Sequence, residues 1–261
     1  MLLPGTQGST VVASPSHAHP TAQPLITKLE SIFPLTDEEK GALLSLPMQV
    51  MDLRADQDMV REGDRPSRSC LVLEGMACTY KVTGEGRRQI MSFQIAGDIP
   101  DLQSLHLDVL DNSVATITAC RVAFIQHEAM RDLCNRHPRL TAAFWRETLI
   151  DGAIFREWVL NVGRRQAPAR MAHLFCEMVV RMGAVGLSHD HGCDLLLSQT
   201  ELGDALGLST VHVNRVLQEL RGAGLVSWTG TTLTVLDWER LKEVADFDPA
   251  YLHLKGRQEA T

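Results

Sequence analysis

Residues 197–226 read LSQTELGDALGLSTVHVNRVLQELRGAGLV, two short helical patterns on either side of a tight turn. Ser198 or Thr200 suits the N-cap of the first helix, whose buried positions are Leu202, Ala205 and Leu206. Gly207 supplies the left-handed backbone that a sharp turn needs, Leu208 plugs the angle between the helices, and Ser209 caps the second. In that second helix Val213, Val216, Leu217 and Leu220 recur at three- and four-residue spacing, so Thr210, Val211, Asn214, Arg215 and Gln218 point the other way. A merely solvated helix face tends to carry Glu and Lys. This one carries a hydroxyl, two amides and a guanidinium, the groups that address base edges and phosphates. GLVSW, a turn at Thr229-Gly230 and TTLTVL then read as a β-hairpin beside the helices, and helix-turn-helix plus hairpin is a winged helix.

Working upstream, CDLLLS suggests a strand before the motif, and GAVGLSHDHGCD reads as a polar surface loop, although His189 and His191 around Asp190 offer a possible metal site. An amphipathic helix through Met171, Leu174, Met178 and Val179 precedes that loop. Residues 138–165 form a much longer helical pattern, with Leu140, Phe144, Leu149, Ile150, Ala153, Ile154 and Trp158 on a broad apolar stripe. Such a stripe fits either a single long core helix or a helix shared with a second protomer.

Earlier still the period changes. MQVMDL, SCLVLEGMACTYKV, RRQIMSFQIAGD and SVATITACRVAFI are short β-prone runs, split by turns at Glu62-Gly63-Asp64, Glu74-Gly75 and Gly84-Glu85-Gly86. This spacing predicts an antiparallel roll or barrel. Two small helices open the ordered chain, one with Leu25, Ile26, Leu29 and Ile32 on one face and one capped by Thr36.

At 261 residues the chain is long enough for two domains, and no apolar run approaches the roughly 20 residues that span a bilayer. No Lys or Arg precedes Lys28, so the charged start of a signal peptide is missing and a cytoplasmic protein is expected. The opening segment, rich in Ser, Thr, Pro and Ala, reads as a flexible tail; His17 and His19 in it are solvated side chains before they are metal ligands. Cys70, Cys78, Cys120, Cys134, Cys176 and Cys193 form no CxxC pair and read as buried or half-buried side chains. There is no phosphate loop, paired metal motif or nucleophile with an identifiable base, so an enzyme is not expected. The net charge of -7 argues against casual attraction to DNA. Arg164, Arg165, Arg170, Arg215 and Arg221 can supply a local positive field, against Glu201, Asp204 and Glu219 inside the motif.

Residues 197–236 resemble the DNA-binding domain of the Crp/Fnr family of bacterial transcription regulators. The Gly-punctuated strands, the Gly97-Asp98 pair, the TAC before a final strand and the long helix follow in the family's order, so the resemblance spans about residues 25–250. It implies an α+β fold: a flexible tail over 1–24, a cyclic-nucleotide-binding-like antiparallel β-roll sensor over 25–137, a dimerisation helix over 138–163, a winged helix-turn-helix over 164–250 and a C-terminal tail over 251–261. It also implies a homodimer on a two-fold operator of double-stranded DNA, and RNA polymerase as a partner. Arg215 matches the family's recognition arginine, a guanine reader; Thr210, Val211 and Asn214 fall at its other base-facing positions, and Gln199 and Thr200 at positions near the DNA backbone. Ser209, His212 and Gln218 complete the candidate set. Val211 departs from the pattern, because many members carry a Glu there; valine cannot accept from cytosine but can pack on a thymine methyl.

The family's cyclic-nucleotide sites use a Gly-Glu pair for ribose and an Arg-Ser or Arg-Thr pair for phosphate. Here Pro100-Asp101 stands near the first position, and no Arg occurs from Gly97 to Cys120, which disfavours a cyclic nucleotide. The iron–sulfur cluster of other members needs an N-terminal cysteine group, and none precedes Cys70. Ten histidines leave haem open without singling one out, so the effector stays unknown. A competing reading is a ligand- or protein-binding module whose helix-turn-helix serves assembly rather than DNA.

Overall fold

The computed structural model describes residues 21–255; the tail expected over 1–24 lies mostly outside these residues, as do the last six of the C-terminal tail. Helix α1 (Gln23–Ile32) takes in the last two residues of that tail, and it buries Leu25, Ile26, Leu29 and Ile32 as expected. Thr36 caps α2 (Asp37–Leu44) in a reciprocal box with Glu39, each side chain accepting from the other's backbone N–H.

Seven strands follow: β1 (Gln49–Leu53), β2 (Asp58–Val60), β3 (Arg68–Glu74), β4 (Ala77–Val82), β5 (Arg88–Gln94), β6 (Ser113–Thr116) and β7 (Cys120–Gln126). They form two antiparallel sheets, ordered β1-β7-β3 and β2-β6-β4-β5. Leu71, Ala123 and Ile125 of the first sheet meet Cys78, Ile90 and Phe93 of the second in a closed core. The sequence pattern left β2 unread, because it is three residues long and broken by a register shift between Asp58 and Val60. Gly97 turns the chain after β5 at φ +97°, so close to α1 that a Cβ there would sit 2.5 Å from the Pro24 carbonyl oxygen.

A 3-10 helix (Leu102–Leu105) and α3 (His127–Arg136) pack beside the roll, and the chain then enters the 27-residue α4 (Pro138–Arg164). Pro138 at its first turn costs no helical hydrogen bond. Leu140, Phe144, Ile150, Ala153, Ile154 and Trp158 are buried as expected, but Leu149 is not. It lies 59% exposed on the opposite side with Trp145 and Val159.

Helix α5 (Ala167–Ala184) leads to a short hairpin of β8 (Ser188–His189) and β9 (Gly192–Asp194). Residues 183–194 are therefore not the polar loop expected: Asp190 and His191 adopt φ +48° and +58°, the turn a two-residue hairpin needs. The strand expected in CDLLLS stops at Asp194. Next come α6 (Gln199–Leu206), α7 (Thr210–Gly222), β10 (Val226–Thr229), β11 (Thr232–Val235) and α8 (Trp238–Ala245). The wing is a four-stranded sheet, β10-β11-β9-β8, larger than the hairpin read from sequence.

The start of the expected C-terminal tail is also corrected. Pro249–Leu252 form a 3-10 helix that docks back on the protein. Leu252 is buried, Tyr251 donates its hydroxyl to Glu177 at 2.7 Å, and the Lys255 N–H reaches the Ser31 carbonyl of α1 at 2.8 Å. Apolar and aromatic burial outweighs the entropy of a free end here. One continuous core runs from α1 through the roll and α5 to α7, so the two halves of the chain are packed together.

Candidate nucleic-acid interface and sensor cavity

Two caps and one glycine set the angle between α6 and α7. Ser198, not Thr200, caps α6, again in a reciprocal box, with Glu201. Gly207 ends that helix at φ +66°, and the Ser209 hydroxyl accepts from the His212 N–H to start α7. Gly203 was missed from sequence, where it is only a helix-weakening residue. A Cβ there would lie 2.6 Å from the Leu208 carbonyl, so the turn closes directly over it.

Val213, Val216 and Leu220 of α7 face the core, with Leu217 half-buried at its edge. Thr210, Val211, Asn214, Arg215 and Gln218 all lie exposed on the other side, Val211 at 79%. Gln199, Thr200 and Ser209 are exposed beside them, and His212 is half-buried. Gln199 and Asn214, fifteen positions apart, bond amide to amide in both directions at 2.7 Å. Each amide keeps one N–H for a further acceptor.

The charges divide differently from the expectation. Arg165 pairs with Glu157 at 2.7 Å, and Arg170 spends its guanidinium on the carbonyls of Arg165 and Leu206. Both are structural. Arg164, Arg215 and Arg221 stay exposed for a polyanion. Glu201 is buried in its cap and Asp204 is held by Arg88 of β5 at 2.7 Å, which removes two of the three acids that were to oppose binding.

Between β4, β5 and α4 lies a cavity of about 590 Å³. Its walls are mainly apolar, Ile90, Met91, Leu102, Phe155, Trp158 and Val159 among them, and its charged side chains are Lys81, Asp111 and Asp151. A cyclic phosphate fits this lining poorly. Lys81, the one cation lining it among the described residues, is 43% exposed and pairs with Glu62 at 3.4 Å. Asp101, near the ribose position of the resemblance, does not line the cavity; its Oδ1 accepts from the Cys70 N–H at 2.8 Å, and burial pushes its carboxyl up to about 7. Among the described residues no histidine or cysteine lines the cavity. Burial raises the Cys78 and Cys176 thiols to about 12, which keeps them protonated and inert. Among the described residues no group of three His, Cys, Asp or Glu side chains is placed to hold a metal.

A winged helix-turn-helix with an exposed, hydrogen-bonding recognition face, joined by a long helix to a β-roll, defines a DNA-binding transcription regulator. Comparison with known proteins agrees. Residues 50–137 match the cyclic nucleotide-binding domain model and residues 169–244 the Crp-like helix-turn-helix domain model. The chain is 23% identical over 220 residues to the fumarate and nitrate reduction regulatory protein of Vibrio cholerae, covering 84% of this chain and 88% of that one. It is 27% identical over 219 residues to the transcriptional activator protein FnrL of Cereibacter sphaeroides, covering 81% and 86%. The fold is similar to that of FixK2 from Bradyrhizobium japonicum, with a TM-score of 0.70, 23% identity and coverage of 76% of this chain and 98% of that one. The chain belongs to the Crp/Fnr family.

Proposed function

We propose that the protein binds a two-fold operator as a homodimer, with α7 of each protomer in the major groove and its affinity governed by a signal taken up in the β-roll cavity. The observation that carries this reading is the outward face of α7: Thr210, Val211, Asn214, Arg215 and Gln218 are exposed in a row, and none is an acid. Arg215 is the guanine reader and Val211 the partner of a thymine methyl. Gln199, Thr200 and Ser209 approach the phosphates, with His212 and Gln218 at the margins. The dimer is supported by α4, where Trp145, Leu149, Gly152, Arg156, Val159 and Gly163 alternate at spacings of four and three, the period of a coiled-coil seam. In this reading the protein works in the cytoplasm, meets RNA polymerase at promoters and catalyses no reaction. No helix among the described residues is long and apolar enough to cross a membrane.

Selection of bound sequences from a random duplex pool by the purified protein tests the reading. An inverted repeat with half-sites about 34–36 Å apart, one helical turn, is the expected product. If no sequence is enriched with or without cell extract while the protein still dimerises, the helix-turn-helix serves assembly instead.

A further inference from the structure

The carboxylates around the inner end of the cavity outnumber the cations available to them. Lys28 of α1 bonds Asp98 at 2.6 Å and Glu147 at 2.9 Å. Arg181 of α5 bonds Asp98 at 3.1 Å and Glu177 at 3.3 Å, and Glu177 also accepts from Trp158 Nε1 and the Tyr251 hydroxyl. Both cations are committed. Asp151, one helical turn after Glu147 on α4, has no cation within 4 Å among the described residues and lines the cavity. Glu147 Oε2 is buried with no hydrogen-bond partner among the described residues. A second feature is independent of these charges. Asn112, 6% exposed, also lines the cavity; its Oδ1 accepts from Gln103 Nε2 at 3.1 Å, while its Nδ2 is buried with no acceptor among the described residues.

We propose that the cavity takes a cationic organic ligand, a protonated amine or amidinium on an apolar body, whose charge meets Asp151 and whose hydrogen-bond acceptor meets Asn112 Nδ2. This rests on reading the β-roll cavity as the signal site and goes beyond it by naming the chemistry. Ile90, Leu102 and Trp158 receive the apolar body, and an anion would face Asp111 and Asp151 with only the paired Lys81 to oppose them. Burial first, then Glu147 and Asp98, push the Asp151 carboxyl up to about 8, against the pull of Lys28 and Arg181. A carboxyl raised that far favours its protonated form at neutral pH. A ligand that enters already charged displaces that proton to solvent, forming an ion pair in place of the neutral acid, so its binding tightens as pH rises toward 8.

Benzamidine, benzamide and benzoate share one shape and differ in charge, which makes them suitable probes, with cyclic AMP as the nucleotide arm. Binding to the full-length protein is followed by calorimetry and thermal shift. The expected result is that benzamidine binds at least about tenfold tighter than benzamide and that benzoate and cyclic AMP do not bind. Its affinity should rise about tenfold per pH unit below 8, with release of a proton. Asp151→Asn, an isostere of the protonated acid that leaves the fold its packing, should erase both the preference and the pH dependence. Asp111→Asn should keep them. Tighter binding of benzoate or cyclic AMP, a benzamidine preference that survives Asp151→Asn or vanishes with Asp111→Asn, or no binding of any probe would overturn the proposal. Failure of the sensor reading looks different: benzamidine binds through Asp151, yet operator affinity does not respond to it.

Discussion

At the scale of single residues the DNA-reading proposal stands on Arg215, which is exposed and, among the described residues, has no carboxylate partner, whereas nearby Arg165 is paired with Glu157 and Arg170 is spent on backbone carbonyls. Arg215→Ala should cost roughly 1–3 kcal/mol on the best operator and relax the preference at one base pair. Equal weakening on every sequence, measured by competition binding, would make Arg215 a phosphate contact. Gly203 makes a structural prediction. Alanine is the better helix former by roughly 1 kcal/mol, but the new Cβ would press on the Leu208 carbonyl, which is backbone and cannot swing aside. Gly203→Ala should therefore destabilise the winged helix by about 1–3 kcal/mol in denaturant unfolding and weaken operator binding with it. Unchanged stability would mean that the turn over Gly203 yields easily. Ser198, Gly207 and Ser209 were legible because caps and left-handed turns are local, and Gly203 was not because its neighbour is a turn away.

At the scale of elements, α4 is the case where periodicity alone was ambiguous. Most of the expected stripe, Leu140, Phe144, Ile150, Ala153, Ile154 and Trp158, serves the protomer's own core, while Leu149 faces outward together with Trp145 and Val159, which the stripe did not include. Val159 is 70% exposed, so Val159→Glu should leave the unfolding of an isolated protomer nearly unchanged. In a dimer it would place a carboxylate in the seam and forfeit apolar burial, weakening association by at least about 2 kcal/mol, roughly thirtyfold. Sedimentation across a concentration series measures this, and an unshifted dimer would place the interface elsewhere. Between α5 and the docked C-terminal segment, His173 lies between Phe247 and Tyr251, with ring centroids 5.1 and 6.0 Å away. Burial, with Arg165 adding, pushes its imidazole down from 6.5 to about 3. The folded state then binds fewer protons than the unfolded state in that window, so this residue's contribution is present above pH 6.5 and drains away as pH falls toward 3. His173→Phe should flatten that part of the acid limb relative to the wild-type protein, as read by unfolding free energy against pH. Identical acid limbs would show that His173 is free to charge in the folded state.

At the scale of the whole molecule, the buried ions around Asp98 bind three parts of the chain into one. Lys28 brings α1, Glu147 brings α4 and Arg181 brings α5 to a single turn after β5. Burial works against the Lys28 ammonium, yet attraction to Asp98 and Glu147 lifts it above its ordinary value, and Lys28 and Arg181 hold Asp98 below the usual carboxylate range against its own burial. Removing one member leaves the others charged, dry and underpaired. Lys28→Met should thus cost about 3–5 kcal/mol in denaturant unfolding. A loss below about 1 kcal/mol would mean that water reaches the cluster and repairs it. A second link joins the reading head to the sensor sheet, where Arg88 holds Asp204 and Gln89 Nε2 donates to the Ala205 carbonyl at 3.1 Å. The helix that opens the helix-turn-helix therefore rests on β5, a strand that also lines the cavity.

The amino-acid sequence by itself determined the antiparallel roll, the long helix, the helix-turn-helix and the outward set from Thr210 to Gln218. Each is written in periods of two or 3.6 residues and in caps and turns, which act within a few positions of themselves. Only the tertiary structure decided which charges are free and which are spent, that β8 and β9 complete the wing, that residues 249–255 fold back, and that Asp151, among the described residues, is left without a cation beside a cavity. Lys28 and Asp98 are 70 positions apart and Arg88 and Asp204 are 116 apart. Burial and Coulomb energies depend on distance in space and on exclusion of water, and neither is set until distant segments meet.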